Sequence, residues 1–211
     1  MSIMFTFRYS LIACFLGASL ISPLAVLAQP AAEMGAETGA APEQAPPPAN
    51  ETRAEKLDRL FAAMAGASVA DQNKIALEIK GVWANSGSPS MNLLLDRALQ
   101  ATAGEAYDKA RVHLNALTRL APEFAEAWNA SATLYFVQND YGRAVAHIQN
   151  ALVLEPRHFN ALAGLAIILE RVDRPGPALD AWMRVKTLYP DFVGAIEAIE
   201  RLEPVVRGKE L

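Results

Sequence analysis

The sequence contains few of the residues that build covalent and metal sites. It has one cysteine and three histidines in 211 residues. A single cysteine excludes a disulfide scaffold and any zinc ribbon that needs cysteine pairs. The 19 basic and 23 acidic residues give a formal net charge of −4 and form no basic stripe, which argues against a nucleic-acid-binding protein. The composition, 52% hydrophobic and 20% charged, predicts a folded domain.

The first 28 residues have the pattern of a secretory signal peptide. Arg8 is the only charged residue there, an apolar run follows over residues 11–27, and the segment ends in the small-residue sequence Val26-Leu27-Ala28. Removal of this segment would take away Cys14, the only cysteine. We therefore expect the chain to be exported.

Two alternatives to a cleaved signal remain open. Residues 11–14 resemble a lipobox, which would put a lipid on Cys14, although only five residues separate Arg8 from Cys14. The apolar run is also near the lower limit of the roughly 17–25 residues that span a bilayer, so an uncleaved inner-membrane anchor is possible. Either would be the chain's only predicted link to a membrane.

Residues 29–52 have the composition of a linker. Seven alanines and five prolines lie between Gln29 and Asn50, without a basic or aromatic residue. Such a segment cannot bury enough apolar surface to offset its ordering entropy, which predicts an extended, disordered tether.

A period of 34 residues organises the rest of the chain. Prolines recur at that spacing, each after an apolar helical stretch, and two sets of alanines share the period. These residues are Pro122, Pro156 and Pro190; Ala98, Ala132 and Ala166; and Ala110, Ala144 and Ala178. The period defines three adjoining units, 91–124, 125–158 and 159–192.

Each unit is predicted to contain two amphipathic helices. In the middle unit the apolar residues share one face of each helix, residues 139–142 form the turn, and Pro156 ends the second helix because it has no N–H to donate. Ala132 and Ala144 leave room for the two helices to cross closely. The residues at helical spacing are Trp128, which we expect in the core, Ala132 and Tyr135 in the first helix, and Ala144, Ile148, Ala151 and Leu152 in the second.

This pattern, with Pro156 at its end, resembles a tetratricopeptide repeat. The outer copies are weaker, with Leu94 and Leu162 in place of Trp128. The stretch over residues 125–159 also resembles a group of exported bacterial repeat proteins of unassigned function. The resemblance implies an all-α fold: a right-handed superhelical solenoid of antiparallel helix pairs, with about nine helices over residues 53–203.

Both flanks are predicted to be helical caps. Leu57, Leu60, Phe61 and Met64 predict one amphipathic helix, and Ser68 with Asp71 resembles a capping box for a second. We interpret this pair, residues 53–90, as a degenerate fourth repeat or a cap. Residues 193–211 are predicted to form a short capping helix, ended by Pro204, and a tail.

No pattern in the sequence indicates catalysis. It has no Ser-His-Asp context, phosphate-cradling glycine loop or metal-spaced His or Cys motif. His113 and His147 share a column of successive repeats, but helices packed roughly 8–10 Å apart are too distant for both imidazoles to ligate one ion. We predict packing histidines, no metal, no cofactor and no enzymatic activity. His158 is expected to help start the next helix.

The resemblance implies a binding site on the concave face, which the first helix of each unit lines. Four of the candidates, Leu95, Leu99, Phe136 and Ile167, are apolar, and exposed apolar surface usually marks an interaction site. Alternatively, the helices of residues 53–84 fold over the groove and bury them. The candidate residues are Asn92, Leu95 and Leu99; Glu126, Asn129, Thr133 and Phe136; and Asn160, Ala163, Ile167 and Glu170.

Two functions follow from this groove. The first is a non-catalytic interaction scaffold of the cell envelope that binds a peptide segment of a partner protein. Capture of a free C-terminal carboxylate is not expected, since the face has no basic cluster, whereas an extended or helical segment suits it. The second is a membrane-held structural subunit of an envelope assembly complex.

Overall fold

The computed structural model describes residues 51–208, which contain nine α-helices and no strand. The predicted signal peptide, Cys14, nearly all of the predicted linker and the last three residues lie outside the described residues. The helices are α1 (Arg53–Met64), α2 (Val69–Ala84), α3 (Pro89–Ala103), α4 (Tyr107–Leu120), α5 (Ala125–Val137), α6 (Tyr141–Leu154), α7 (Phe159–Arg171), α8 (Pro175–Leu188) and α9 (Val193–Gly208).

The ends of the repeat helices follow the 34-residue period. Helices α4, α6 and α8 each end two residues before Pro122, Pro156 or Pro190. Asp140 caps α6 by accepting a hydrogen bond from the Arg143 N–H at 3.0 Å. One feature was not predicted, namely a left-handed backbone at the same position of each repeat. It is adopted by Glu105, Asn139 and Asp173, with φ of 58°, 59° and 54°.

Small side chains lie within the helix pairs. Six periodic alanines are at most 3% exposed: Ala98, Ala110, Ala132, Ala144, Ala166 and Ala178. Each pair, α3–α4, α5–α6 and α7–α8, is in extensive contact, and α5 and α7 also contact the preceding pair. The described residues therefore form an all-α solenoid, as predicted.

The N-terminal hairpin α1–α2 does not extend this solenoid as a fourth repeat. It packs across the third repeat, where Trp83 of α2 stacks on His158 with 4.0 Å between ring centroids. Near the start of α2, the Gln72 Oε1 atom accepts a hydrogen bond from the Asp191 backbone N–H at 3.0 Å, and Asn73 accepts one from the Tyr189 hydroxyl. The degenerate-repeat interpretation is therefore wrong, because the apolar face of the hairpin is buried against α7, α8 and α9.

Helix α1 is fixed to the same region by charge. The Arg157 guanidinium lies 2.6 Å from Asp58 and 4.8 Å from the Phe61 ring centroid. Glu51 and Thr52, which we assigned to the linker, are ordered parts of this hairpin. Thr52 and Glu55 form a capping box at the start of α1, and Glu51 pairs with Arg59 at 2.7 Å.

Two further expectations need correction. Helix α9 continues through Pro204 to Gly208 instead of ending at the proline. A proline removes one backbone donor, and the loss is tolerated here in the last turns of the helix. Trp128, which we expected in the core, is only half-buried and lies against the edge of a core cluster, with its indole N–H donating to the Pro122 carbonyl at 2.8 Å.

Among residues 51–208, none of the helices has the length and apolarity needed to cross a membrane.

The fully buried Trp83 makes the hairpin testable by mutation. We expect Trp83→Ala to lower the free energy of unfolding by about 3–5 kcal/mol, the usual cost of emptying a large buried site. Trp128→Ala, which truncates a half-buried indole, should cost less. Urea unfolding followed by circular dichroism measures both. A smaller loss for Trp83→Ala than for Trp128→Ala would contradict the docked position of α2.

Candidate functional site

Six of the predicted groove residues, Ala163 among them, meet at one half-open cleft between α5 and α7. The cleft has a volume of about 190 Å³. Asn129, Thr133 and Phe136 are spaced i, i+4 and i+7 along α5, and Asn160 and Ile167 are spaced i and i+7 along α7, so each set lies on one helix face. The lining residues that were not predicted are Ala132, Ile148, Gly164 and Ile168.

The cleft is apolar with amide groups on its wall. None of its lining residues is charged, and its aliphatic and aromatic side chains are complemented by the amides of Asn129 and Asn160 and the hydroxyl of Thr133. Pockets for drug-sized ligands are usually about 300–1,000 Å³. This cleft is smaller, and its size suits individual side chains of a larger ligand.

The amide of Asn129 is oriented by a chain of contacts that reaches the N-terminal hairpin. Its Nδ2 donates to Glu126 Oε1 at 3.0 Å, and the other oxygen of Glu126 lies 2.9 Å from the His158 Nε2 atom. His158 is fully buried, and its Nδ1 accepts the Ala161 N–H at 3.3 Å. His158 thus caps α7, as predicted, and its ring stacks on Trp83. Docking of the hairpin and orientation of Asn129 depend on the same imidazole.

Glu126 and Asn92 make hydrogen bonds within the fold and do not form an open groove surface. Glu126 is occupied by Asn129 and His158. Asn92 Oδ1 accepts hydrogen bonds from the backbone N–H of Ser86 at 2.8 Å and from its hydroxyl at 2.7 Å. The Asn92 amide therefore fastens the α2–α3 connection.

Glu170 is likewise occupied by neighbouring helices. It accepts the Trp182 indole N–H at 2.7 Å and an Arg201 N–H at 2.6 Å. Burial raises the pKa of the Glu170 carboxyl, but the hydrogen bonds from Arg201 and Trp182 outweigh burial and hold the pKa below its usual value. This carboxylate joins α7 to α8 and α9.

The two leucines predicted for the groove have different positions. Leu95 is 3% exposed and belongs to the core of the first repeat, so its assignment to an exposed groove surface is wrong. It packs with residues of α4 and α5 that include Leu114 and Leu134 and that bury its side chain. Leu99 is 44% exposed on α3 but does not line the cleft.

The hairpin does not bury the four apolar groove candidates, because Leu95 and Phe136 lie in clusters without hairpin residues and Leu99 and Ile167 are exposed. Ala163 is 6% exposed and lies in the cluster that contains the N-terminal hairpin. Ile167, one turn further along α7, is 37% exposed and lines the cleft. The hairpin therefore covers part of the third repeat, and the α5–α7 cleft remains accessible.

Sequence analysis did not include Gly164 and Ile148 in the site. Gly164 sits inside α7, where a glycine is unfavourable relative to alanine, and this anomaly was the one signal available. A Cβ atom added at Gly164 would lie 3.6 Å from the Ile148 Cδ1 atom, an ordinary contact across the cleft. Ile148 belongs to the second helix of its repeat, so helix-face reasoning on first helices alone misses it.

His147 lies on α6 against the aromatic side chains of α5. Its ring centroid is 5.3 Å from that of Trp128 and 5.0 Å from that of Tyr135. Its buried Nδ1 atom has no hydrogen-bond partner among the described residues. Burial, with a smaller contribution from Arg143, lowers the pKa of His147 below its usual value of 6.5. It is a packing histidine, and residues 51–208 contain no cluster of side chains suited to a metal ion.

The stacked helix pairs define a helical-repeat solenoid. No family model matches the chain. A TPR repeat-containing protein from Rhizobium etli is 36% identical over 155 residues, covering 73% of this chain and 76% of that protein. The chain belongs to the tetratricopeptide-repeat (TPR) family, whose members are protein–protein interaction modules and typically non-catalytic.

Solved structures show the same fold at low sequence identity. The TPR domain of Arabidopsis OM64 has a TM-score of 0.51 and 17% identity, over 54% of this chain and 93% of that one. The first TPR domain of Spaghetti (RPAP3), bound to an HSP90 peptide, has a TM-score of 0.53 and 15% identity, over 56% and 93%. The P58(IPK) TPR domain has a TM-score of 0.51 and 14% identity, over 76% and 48%.

The glycine in the cleft predicts a gain in stability. Gly164→Ala should raise the free energy of unfolding by about 0.5–1 kcal/mol, because alanine is the better helix former and its methyl group fits. Gly81→Ala is the matched control, since Gly81 lies in α2 with open space around its Cβ position. Thermal unfolding should show similar gains for both variants. A loss for Gly164→Ala alone would mean that α7 has no room for a methyl group in the cleft.

The lowered pKa of His147 predicts a pH-dependent stability. A histidine whose pKa is lowered by folding binds protons more readily in the unfolded state, so stability falls as pH drops below about 6.5. His147→Gln removes this contribution. The stability difference between variant and parent, measured by urea unfolding from pH 8 to pH 5, should shift in favour of the variant as the pH decreases. A constant difference across that range would contradict the assigned burial.

Proposed function

We propose that this chain is an exported interaction module of the bacterial cell envelope, and that it holds a peptide segment of a partner protein in the α5–α7 cleft. The observation that carries the proposal is the cleft itself, an accessible apolar site of about 190 Å³ with two amide side chains on its wall. Membership of the TPR family supports an interaction role.

The composition of the cleft favours a peptide bound through side chains and main chain together. Apolar side chains of a partner can enter between Phe136, Ile148 and Ile168, while the amides of Asn129 and Asn160 can exchange hydrogen bonds with its backbone. The cleft is lined by no cluster of lysines or arginines that would hold a terminal carboxylate, which favours an internal segment as the ligand. No catalytic residue, cofactor or metal is part of the proposal.

Location in the periplasm is supported by the signal pattern of residues 1–28. Fractionation with N-terminal sequencing tests it. A mature protein that starts at Gln29 in the periplasmic fraction is expected. Recovery from the inner membrane with the first 28 residues retained, or with lipid on Cys14, would replace this proposal with an anchored form.

A structural subunit of an envelope assembly is the second candidate function. It is favoured by the hairpin, which covers part of the third repeat, and by exposed apolar residues on the second helices of the repeats. Val112 on α4 is 67% exposed and Val153 on α6 is 81% exposed. In this role the partner would contact the face that carries Val153.

Site-specific photocrosslinking separates the two functions. A benzophenone amino acid is placed at Thr133, in the cleft, or at Val153, both of which are exposed and should tolerate the probe. The proposed function predicts that irradiated cells give one defined adduct from Thr133 and none of that mass from Val153. The same adduct should weaken in Gly164→Ala, whose methyl group occupies the cleft, and persist in Gly81→Ala. Adducts from Val153 alone would favour the structural subunit and contradict the cleft.

A further inference from the structure

A cation stands at the edge of the cleft. Arg171 is the last residue of α7, and its guanidinium carbon lies 5.2 Å from the ring centroid of Phe136, which lines the cleft. One of its nitrogens donates to the Tyr141 hydroxyl at 3.3 Å. The Tyr141 hydroxyl in turn donates to Asn139 Oδ1 at 3.0 Å. The guanidinium is thus held against the aromatic wall of the cleft by uncharged groups.

Arg171 has no carboxylate partner among residues 51–208. The neighbouring carboxylate, Glu170, is paired with Arg201 at 2.6 Å. Arg143 is paired with Asp140, and Arg157 with Asp58 and Glu155. A guanidinium has five N–H donors in a planar fork, and Arg171 uses one of them for Tyr141. The remaining donors face no carboxylate of the described residues and can bind a carboxylate of a ligand at the rim of the cleft.

We infer that the cleft selects an internal peptide segment in which a side-chain carboxylate lies within two residues of an apolar side chain. The apolar side chain occupies the cleft beside Phe136, and the carboxylate pairs with Arg171. An extended peptide advances roughly 3.3 Å per residue. One to two residues of an extended peptide therefore span about the 5.2 Å that separates the Phe136 ring centroid from the guanidinium carbon of Arg171. The inference rests on the proposed function and adds the charge of the partner to it.

The expected contribution of the pair is modest because Arg171 is exposed. Ion pairs at such sites change an equilibrium constant by about two- to fivefold. The apolar side chain therefore provides most of the affinity, and the carboxylate provides preference among apolar peptides. Because attraction between exposed charges is screened by salt, the preference should decrease between 50 mM and 500 mM NaCl.

Selection from a random peptide library tests the inference on the purified full-length protein. The probes are ten-residue peptides in two sets, one with amidated and one with free C-termini. Selections are run with the parent, with Arg171→Gln, and with Arg184→Gln as the matched control. Arg184 is exposed on α8 and also lacks a carboxylate partner within the described helices, so both variants remove one exposed positive charge.

The parent and Arg184→Gln are expected to enrich amidated peptides that carry Asp or Glu within two residues of a large apolar residue. Arg171→Gln is expected to enrich apolar peptides without this acidic preference. For a selected peptide, replacing its acidic residue by the amide should raise the Kd about two- to fivefold with the parent and leave it unchanged with Arg171→Gln.

Three outcomes would overturn the inference. The first is the same acidic preference in Arg171→Gln as in the parent, the second is apolar enrichment by the parent without acidic residues, and the third is enrichment confined to free C-termini. In the second case the proposed peptide-binding function stands and only the charge assignment fails. If the parent enriches no apolar peptides, or the enrichment is insensitive to Ile167→Glu in the cleft, the proposed function fails as well.

Discussion

The close crossing of two helices within each repeat is the constraint on which the structure depends. Each helix of a pair has an alanine at the crossing, such as Ala132 on α5 and Ala144 on α6. These alanines are 3% exposed or less and leave room for close contact between the helices. A larger side chain at either position would separate the helices and open the layer behind them. Because each helix pair cannot bury both of its faces alone, the pairs stack, and the first helices α5 and α7 are brought side by side. The cleft is the space left between them.

The N-terminal hairpin completes this arrangement without closing the cleft. Trp83 stacks on His158, and the same imidazole contacts Glu126, which orients the Asn129 amide on the wall of the cleft. The hairpin covers the third repeat around Phe159 and stops short of Ile167. A single fully buried side chain, His158, thereby connects the capping helix, the start of α7 and the polar part of the candidate site.

The repeating helix pairs could be predicted from the sequence, and the long-range docking of the N-terminal hairpin could not. The 34-residue period located the helix pairs and their ends, and the resemblance to tetratricopeptide repeats assigned Asn129, Thr133 and Phe136 to the concave face. The docking of Trp83 on His158 joins residues far apart in the chain, and no periodic pattern records such a contact. The assignment of Leu95 was wrong because this leucine packs in the core of the first repeat. The sequence of one helix does not show which of its residues the neighbouring helices bury. Arg171 was not predicted as a site residue, because its position at the cleft depends on its contact with the Phe136 ring.

The central claim is that the α5–α7 cleft is the ligand site, and the side-chain amides on its wall report on it directly. In a nitrogen–proton correlation spectrum of the ¹⁵N-labelled protein, a peptide selected for binding to the intact chain should shift the side-chain NH₂ signals of Asn129 and Asn160. The NH₂ signals of Asn73 and Asn92, whose oxygens are bound within the fold, should stay in place. Shifts at Asn73 and Asn92 with Asn129 and Asn160 unchanged would contradict the account and move the binding surface to the N-terminal hairpin.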